Sequence, residues 1–210
     1  MVRSVYLFCV FILFNNIILA QDPAGENDNS GQNIRQYYSL KAGFYNSRDN
    51  LNNGLIFGLD GITEFYKYNL FLSGNVDFYQ KKTINVFAAP DITSQSMILL
   101  PLHIDLGYKI AHIPDADTKI YAGIGGGYSL YFYNATYQTS SGGVIFNETI
   151  NNNVTKNSGY VFGSVFGRIL IGKVFIEPLY YFASAKNERI DGYSLHFNPS
   201  GFAISFGFQY

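Results

Sequence analysis

The chain has 210 residues, of which 48% are hydrophobic and 18% aromatic, and its formal net charge is −1 at neutral pH. A charge this close to zero leaves no basic footprint, so nucleic acid is excluded as a partner. The length is that of a single domain, and the only cysteine is Cys9, so the rest of the chain contains no disulfide.

The first segment has the features of a secretory signal peptide. Arg3 gives it a positive start, an apolar run follows at 5–14, and the small residue Ala20 closes it. The run is too short to span a bilayer as a helix. Residues 1–20 are therefore predicted to be a signal peptide that is cleaved after Ala20, with Ala24 as the alternative site.

Residues 21–35 are polar and rich in turn formers, and they are predicted to be a flexible periplasmic lead-in. From Gln36 onward apolar and polar residues alternate, which predicts strands. Later segments do not approach the roughly 20 apolar residues of a spanning helix, so a membrane protein would have to be a closed barrel. Eight strands are predicted, near 36–46, 54–65, 68–79, 96–110, 119–133, 159–171, 174–184 and 201–210.

The last ten residues show the alternation most clearly. One face of this strand is entirely apolar, whereas the other carries small or polar residues such as Ser205 and Gln209. A strand of this kind suits a barrel wall with lipid outside and a polar interior. The apolar face, which is also the expected signal for barrel assembly, consists of Phe202, Ile204, Phe206, Phe208 and Tyr210.

The charged residues of the predicted strands all fall on the inner face. A cation at the bilayer midplane of a barrel's lipid face costs about 2–4 kcal/mol. A soluble barrel would have the opposite arrangement, with an apolar interior and a polar coat. The pattern therefore predicts an all-β, eight-stranded, antiparallel up-and-down transmembrane β-barrel over 36–210, located in the outer membrane.

Eight strands enclose an interior that side chains just fill, so a diffusive pore is not expected. Gly172 and Lys173 are predicted to form a type II′ turn between two strands. The register of this turn sets Arg168 opposite Glu177 on the inner face, where they form an ion pair. The full polar network predicted for the lumen is Lys41, Asp60, Asp77, His103, Asp105, Lys109, Arg168 and Glu177.

The links between strands are predicted to be short on one side and long on the other, as in membrane barrels. Pro101 and Pro178 lie within strands, and each predicts a bulge or a shifted register. The short links fall near Tyr66 and Lys67, at 112–118 and at 172–173, and the long exposed loops near 46–54, 80–95, 134–158 and 185–200.

The segments 99–108, 121–128 and 175–181, together with the aromatic C-terminus, resemble the small outer-membrane β-barrel domain proteins of Gram-negative bacteria. Eight-stranded barrels of the opacity type and of the outer membrane protein A and X types are related. The resemblance implies insertion by the barrel assembly machinery and contact with outer-membrane lipid and lipopolysaccharide. It also implies a role in adhesion, host contact or envelope integrity through the loops, and we expect a monomer.

An enzymatic alternative is a lipid A-modifying deacylase or acyltransferase, and a narrow channel is a further one. Ser194 and His196 could supply a nucleophile and a base, although no third orienting residue is apparent. We expect no catalytic site. Three histidines and no cysteine beyond Cys9 give no metal-ligand spacing, so neither a metal nor another cofactor is expected.

Overall fold

The computed structural model describes residues 34–48, 53–84, 92–142, 147–190 and 193–210. The predicted signal peptide and the lead-in up to residue 33 lie outside these residues. No helix of the described parts is long and apolar enough to cross a membrane.

Eight antiparallel strands close into a barrel, in the order β1-β10-β7-β6-β5-β4-β3-β2, and the predicted fold is confirmed. Two further strands, β8 and β9, form a separate hairpin between β7 and β10. The bounds are β1 Ile34–Ser47, β2 Asn53–Phe65, β3 Leu70–Ile84, β4 Ile92–Ile113, β5 Thr118–Gly142, β6 Asn147–Ile171, β7 Val174–Ala183, β8 Lys186–Ile190, β9 Tyr193–Phe197 and β10 Gly201–Gln209.

Two of the four predicted long loops are wrong. Most of 134–158 belongs to β5 and β6, which have 25 residues each, and most of 185–200 belongs to the β8–β9 hairpin. The segment 134–158 is rich in Asn, Thr and Ser at both alternating positions, so the alternation that identifies a half-buried strand is missing there. In β9 apolar and polar residues do alternate, but over five residues only. Of the other two predicted loops, 49–52 and 85–91 lie outside the described residues, whereas 80–84 belongs to β3 and 92–95 to β4. The ends of the predicted loop 46–54 likewise belong to β1 and β2.

The N-terminal boundary of the barrel also differs from the prediction. β1 begins at Ile34, inside the predicted lead-in, because Ile34 and Arg35 pair with Phe65 and Glu64 at the end of β2. The pairing partner extends the strand by two residues beyond the apolar alternation.

The three short turns lie at the predicted positions. Asn69 and Asp117 end the first two turns in the left-handed conformation, with φ of 53° and 42°. Asn69 was predicted to belong to β3, but asparagine tolerates this conformation and closes the turn instead. In the third turn Gly172 has a φ of 58° and Lys173 a negative φ, as a type II′ turn requires.

The two strand prolines do not shift the register, which corrects the prediction. Pro101 is paired with Ser129 on β5, and Pro178 with Ile204 on β10. On its other side each proline interrupts the ladder for two pairs, after which the ladder resumes in unchanged register. A proline lacks the N–H toward one neighbour only, so one interrupted ladder accommodates it. The register shifts of β4 occur toward its two ends.

Exposure alternates along every strand of the barrel wall. Leu40 is 52% exposed and the adjacent Lys41 only 5%. On β10, Phe202, Phe206 and Phe208 point outward and Ser205 is buried. Among the described residues of the wall strands β1–β7 and β10, the outward positions carry one charged residue, Lys82, which lies near the end of β3 that is farthest from the short turns.

Candidate functional site

The centre of the barrel holds an ionic network built around Lys41. Its Nζ lies 3.0 Å from Oδ1 of Asp60, 3.3 Å from Oδ1 of Asp77 and 3.1 Å from Oε1 of Glu177. These residues come from β1, β2, β3 and β7, and all are buried. Since β3 and β7 are not neighbours in the sheet, Lys41 connects distant parts of the wall across the lumen.

Arg168 on β6 is the second cation of this network. Its Nε donates to Oε2 of Glu177 at 2.6 Å, and its Nη2 donates to Oδ2 of Asp60 at 2.8 Å. The guanidinium also lies over the ring of Phe175, 4.3 Å from the centroid. Ser39 donates to Asp60 at 2.8 Å. The ion pair predicted across the Gly172 turn is present and is held from two further sides.

His103 on β4 lies between two carboxylates. Its Nδ1 is 2.9 Å from Oδ1 of Asp105, and its Nε2 is 3.0 Å from Oδ2 of Asp77. Tyr181 donates to the same Asp77 oxygen at 2.7 Å, and Asn75 donates to Asp105 at 2.8 Å. Because ionised carboxylates only accept hydrogen bonds, both ring nitrogens of His103 act as donors when both aspartates are ionised.

Lys109 does not belong to this central network, contrary to the prediction of a single polar plug. Its Nζ is 3.3 Å from Oε1 of Glu64, near the short turns, and Nζ of Lys119 is 3.3 Å from Oε2 of the same carboxylate. Tyr121 donates to Glu64 at 3.0 Å. Strand alternation shows which residues face inward, but it does not show which of them lie at the same height in the barrel.

The prediction of the network also omitted several uncharged partners. Asn75, Tyr181 and Ser164 have the same inward parity as the charged residues on their strands, so the alternation contained the signal for them. Ser164 donates to Asp105 at 3.3 Å. Buried carboxylates need neutral hydroxyl and amide donors of this kind to satisfy their lone pairs.

The ring of Tyr66 covers the turn end of the lumen. Arg35, Lys109 and Lys119 place their charged groups 5.0–5.3 Å from its centroid. Its hydroxyl is hydrogen-bonded to that of Tyr37. Burial, followed by the Tyr37 hydrogen bond and the negative charge nearby, raises the pKa of Tyr66 well above its usual value. This phenol therefore stays protonated at neutral pH.

An aromatic layer fills the opposite end. The rings of Tyr45 and Tyr79 meet edge to face at 5.1 Å, and those of Tyr131 and Phe197 at 5.0 Å. Phe197 is 2% exposed because the chain after β9 folds into the mouth of the barrel. Ser200 fixes this segment, since its Oγ donates to the carbonyl of Ala183 at 2.7 Å and accepts from the Ala183 N–H at 2.9 Å.

Two interior cavities lie on either side of the ionic network. One is lined by the aromatic layer and includes Tyr79, Tyr160 and Tyr181, and the other lies beside Glu64 and Arg168. Each has a volume of about 10 Å³, roughly the space for the centre of a single water molecule. Neither could accommodate an organic ligand.

Ser194 and His196 lie in β9, where their register partners on β8 are Arg189 and Asn187. The side chains of these two residues lie outside the part that the structure describes. Within the described residues, no group of three or more His, Cys, Asp and Glu side chains is arranged to hold a metal ion.

The described residues define a closed, eight-stranded antiparallel barrel with an apolar exterior and an ionised interior. No protein-family model matches the chain, and no curated protein sequence matches it.

Three solved structures illustrate the likeness to known barrels. Neisserial surface protein A shares 12% identity at a TM-score of 0.46, covering 84% of this chain and 97% of that one. The attachment invasion locus protein of Yersinia pestis, solved with the heparin analogue sucrose octasulfate, shares 10% at 0.41, with coverages of 84% and 97%. A major outer membrane protein from Thermus thermophilus shares 12% at 0.44, with coverages of 84% and 100%. Likeness at this level carries no conclusion about a ligand or an activity of this chain.

Proposed function

We propose that this chain is an integral outer-membrane barrel with a lumen filled by side chains, and that it serves a structural or surface-interaction role. It is not a diffusive porin. We call the end of the barrel opposite the short turns the loop end. The segments beyond the loop end carry the interaction, and the wall anchors them in the membrane.

The observation that carries this proposal is the separation of apolar and charged residues by the wall. Phe44, Phe57, Ile104 and Phe206 are each at least 50% exposed on the outside, whereas Asp60 on the inside is 3% exposed. Soluble monomers rarely expose continuous apolar surfaces of more than a few hundred Å². Lipid as the surrounding solvent removes the cost of this surface.

The lengths of two strands also support a lipid environment around the barrel. β7 has 10 residues and β10 has 9, and a tilted strand needs about 9–11 residues to cross the hydrocarbon core. The predicted signal peptide at 1–20 favours export to the outer membrane. The aromatic face of β10 is the proposed recognition element for the barrel assembly machinery, and the outer wall contacts lipid and lipopolysaccharide.

The closed lumen follows from the two layers that cross it. Lys41 and Arg168 hold carboxylates from several strands at the centre, while Phe197 and its aromatic neighbours fill the mouth. In planar bilayers the purified protein is therefore expected to give no stable conductance step. A reproducible open channel would contradict the filled lumen and would favour the narrow-channel alternative.

Membrane fractionation combined with a heat-modifiability gel tests the barrel itself. The unboiled protein is expected in the outer-membrane fraction and should migrate differently from the boiled protein. Spin labels at positions 100, 130 and 204 should report contact with hydrocarbon, whereas a label at the exposed turn residue Asp115 should report water. Water contact at the first three positions would rule the proposal out.

A lipid A-modifying activity is tested separately at Ser194 and His196. Alanine at both positions is expected to leave the mass of lipid A unchanged, because the proposed role requires no chemistry there. A mass change that depends on either residue would establish the enzyme instead.

A further inference from the structure

The ribbon formed by β5 and β6 continues beyond the barrel and ends in an open strand edge. These two strands pair along their full length, from Thr118 with Ile171 to Gly142 with Asn147. The ladder from β6 to β7, in contrast, begins only at Phe162. Within the described residues, no strand is hydrogen-bonded along the other edge of β6 at 147–157, because the ladder to β7 begins later and β8 pairs with β9 alone. An edge of this kind is a template for another strand.

The sequence of this edge is symmetric about Asn152. In an antiparallel pair, residues at equal distances on either side of the centre lie opposite each other. Around Asn152 each such pair joins residues of matching or complementary type. The pairs are Asn147 with Asn157, Glu148 with Lys156, Thr149 with Thr155, Ile150 with Val154, and Asn151 with Asn153.

Two copies of β6 that pair about Asn152 would therefore bring together two Glu–Lys pairs, two pairs of β-branched apolar residues and a series of Thr and Asn pairs. Cross-strand pairs of these kinds stabilise antiparallel sheets. The charges also select the register. A shift by two positions in either direction would place Glu148 opposite Val154 or Ser158, and neither complements its charge.

We propose that the partner of this edge is a second copy of the same chain, bound by antiparallel pairing of the two β6 strands about Asn152. The contact is isologous, so each copy contributes the same segment, and it forms a continuous sheet in the order β4-β5-β6-β6-β5-β4. This inference rests on the proposed function and specifies its partner.

The direction of β6 determines where the two copies are located. β6 runs from the loop end toward the short turns, and in one membrane every copy has this direction. Antiparallel pairing requires opposite directions, so the two barrels belong to facing membranes. The contact is thus homotypic adhesion between two surfaces, and the expectation of a monomer applies to each membrane taken alone.

Charge reversal tests the pairing. Purified, refolded protein in detergent micelles is expected to dimerise, as measured by analytical ultracentrifugation. Glu148→Lys and Lys156→Glu each create two like-charge contacts and should weaken dimerisation by about tenfold or more. The double variant should restore it, and an equimolar mixture of the two single variants should form heterodimers. Lys82→Glu, a reversal on the outer wall away from this edge, is the matched control and should dimerise like the parent.

Vesicles carrying the protein test the facing arrangement. Vesicles with the parent protein should cluster, and vesicles with Glu148→Lys should cluster only with vesicles that carry Lys156→Glu. A folded barrel that remains monomeric, or single variants that dimerise as the parent does, would overturn the inference. Dimers that do not cluster vesicles would overturn the facing arrangement. The heat-modifiability gel on the same samples separates these results from failure of the barrel, in which the shift itself is missing.

Discussion

Nε of Arg168 donates to Oε2 of Glu177 at 2.6 Å, across the two-residue turn that joins β6 to β7. The two residues are close in sequence, but their other contacts reach strands elsewhere in the barrel. Glu177 also accepts from Lys41 on β1, and Arg168 also donates to Asp60 on β2. One hairpin contact is thus coupled to strands on the far side of the lumen.

Replacing Glu177 with glutamine is expected to destabilise the barrel. The change retains the size of the side chain but leaves Arg168 and Lys41 with one carboxylate fewer. Removing one partner of a buried ion pair costs about 3–5 kcal/mol, because the other charge stays buried. The measurement is the free energy of unfolding in urea, followed on heat-modifiability gels. Asp115→Asn, in an exposed turn, is the control, and equal stability of the two variants would contradict the role of the network.

The Arg168–Glu177 pair could be predicted from the sequence because two local rules agree there. Gly172 specifies the turn and therefore the register, and alternation places both charges on the same face. The separation of Lys109 from this network could not be predicted from the sequence, because the height of a residue in the barrel depends on the shear between strands. The shear is fixed when β1 pairs with β10 and closes the barrel, and this pairing depends on residues that are far apart in the chain.

The extensions beyond the barrel were missed for a different reason. A strand that packs against no core needs no apolar face, so the polar composition of 134–158 predicts a loop where the structure has strands. Their regularity comes from pairing between β5 and β6, which a composition rich in Asn, Thr and Ser does not reveal. The wall itself was predictable because apolar and polar residues alternate along its strands with a period of two.

Gly125 is expected to tolerate no side chain. A Cβ there would lie 1.7 Å from Oδ1 of Asp105 and 2.6 Å from Oγ of Ser164, so alanine would displace the carboxylate that binds His103. Gly74, also in a strand, has no atom within 4 Å of its Cβ position and is the matched control. Gly125→Ala should lower the urea midpoint, whereas Gly74→Ala should leave it unchanged or raise stability by about 0.4–1 kcal/mol. If Gly74→Ala were more destabilising than Gly125→Ala, the lack of space around Asp105 would not be what excludes a side chain at position 125.

Phe197 is expected to be the main apolar anchor of the segment that closes the mouth. Truncation of a buried phenylalanine to alanine costs about 3–5 kcal/mol, and here it removes the contact with Tyr131. Phe197→Leu, which retains most of the apolar volume, should cost clearly less. Protease sensitivity of the segment that joins β9 to β10 should increase in the alanine variant in parallel with the loss of stability. An unchanged cleavage rate would indicate that the hydrogen bonds of Ser200, together with the one that the Tyr45 hydroxyl donates to the carbonyl of Pro199, hold the segment without the ring.

His103 is expected to carry a positive charge at neutral pH, deep inside the barrel. Its two ring nitrogens contact different carboxylates at 2.9 and 3.0 Å, so a neutral imidazole would leave one carboxylate facing a lone pair. The charge also reduces a local imbalance, since Asp60, Asp77, Asp105 and Glu177 otherwise face only Lys41 and Arg168. Nitrogen-15 NMR of histidine-labelled protein in micelles should show both ring nitrogens protonated at neutral pH, while the exposed His112 serves as the internal reference for a solvent-accessible ring. A signal from an unprotonated nitrogen of His103 would contradict the charged ring, and the network would then hold one cation fewer.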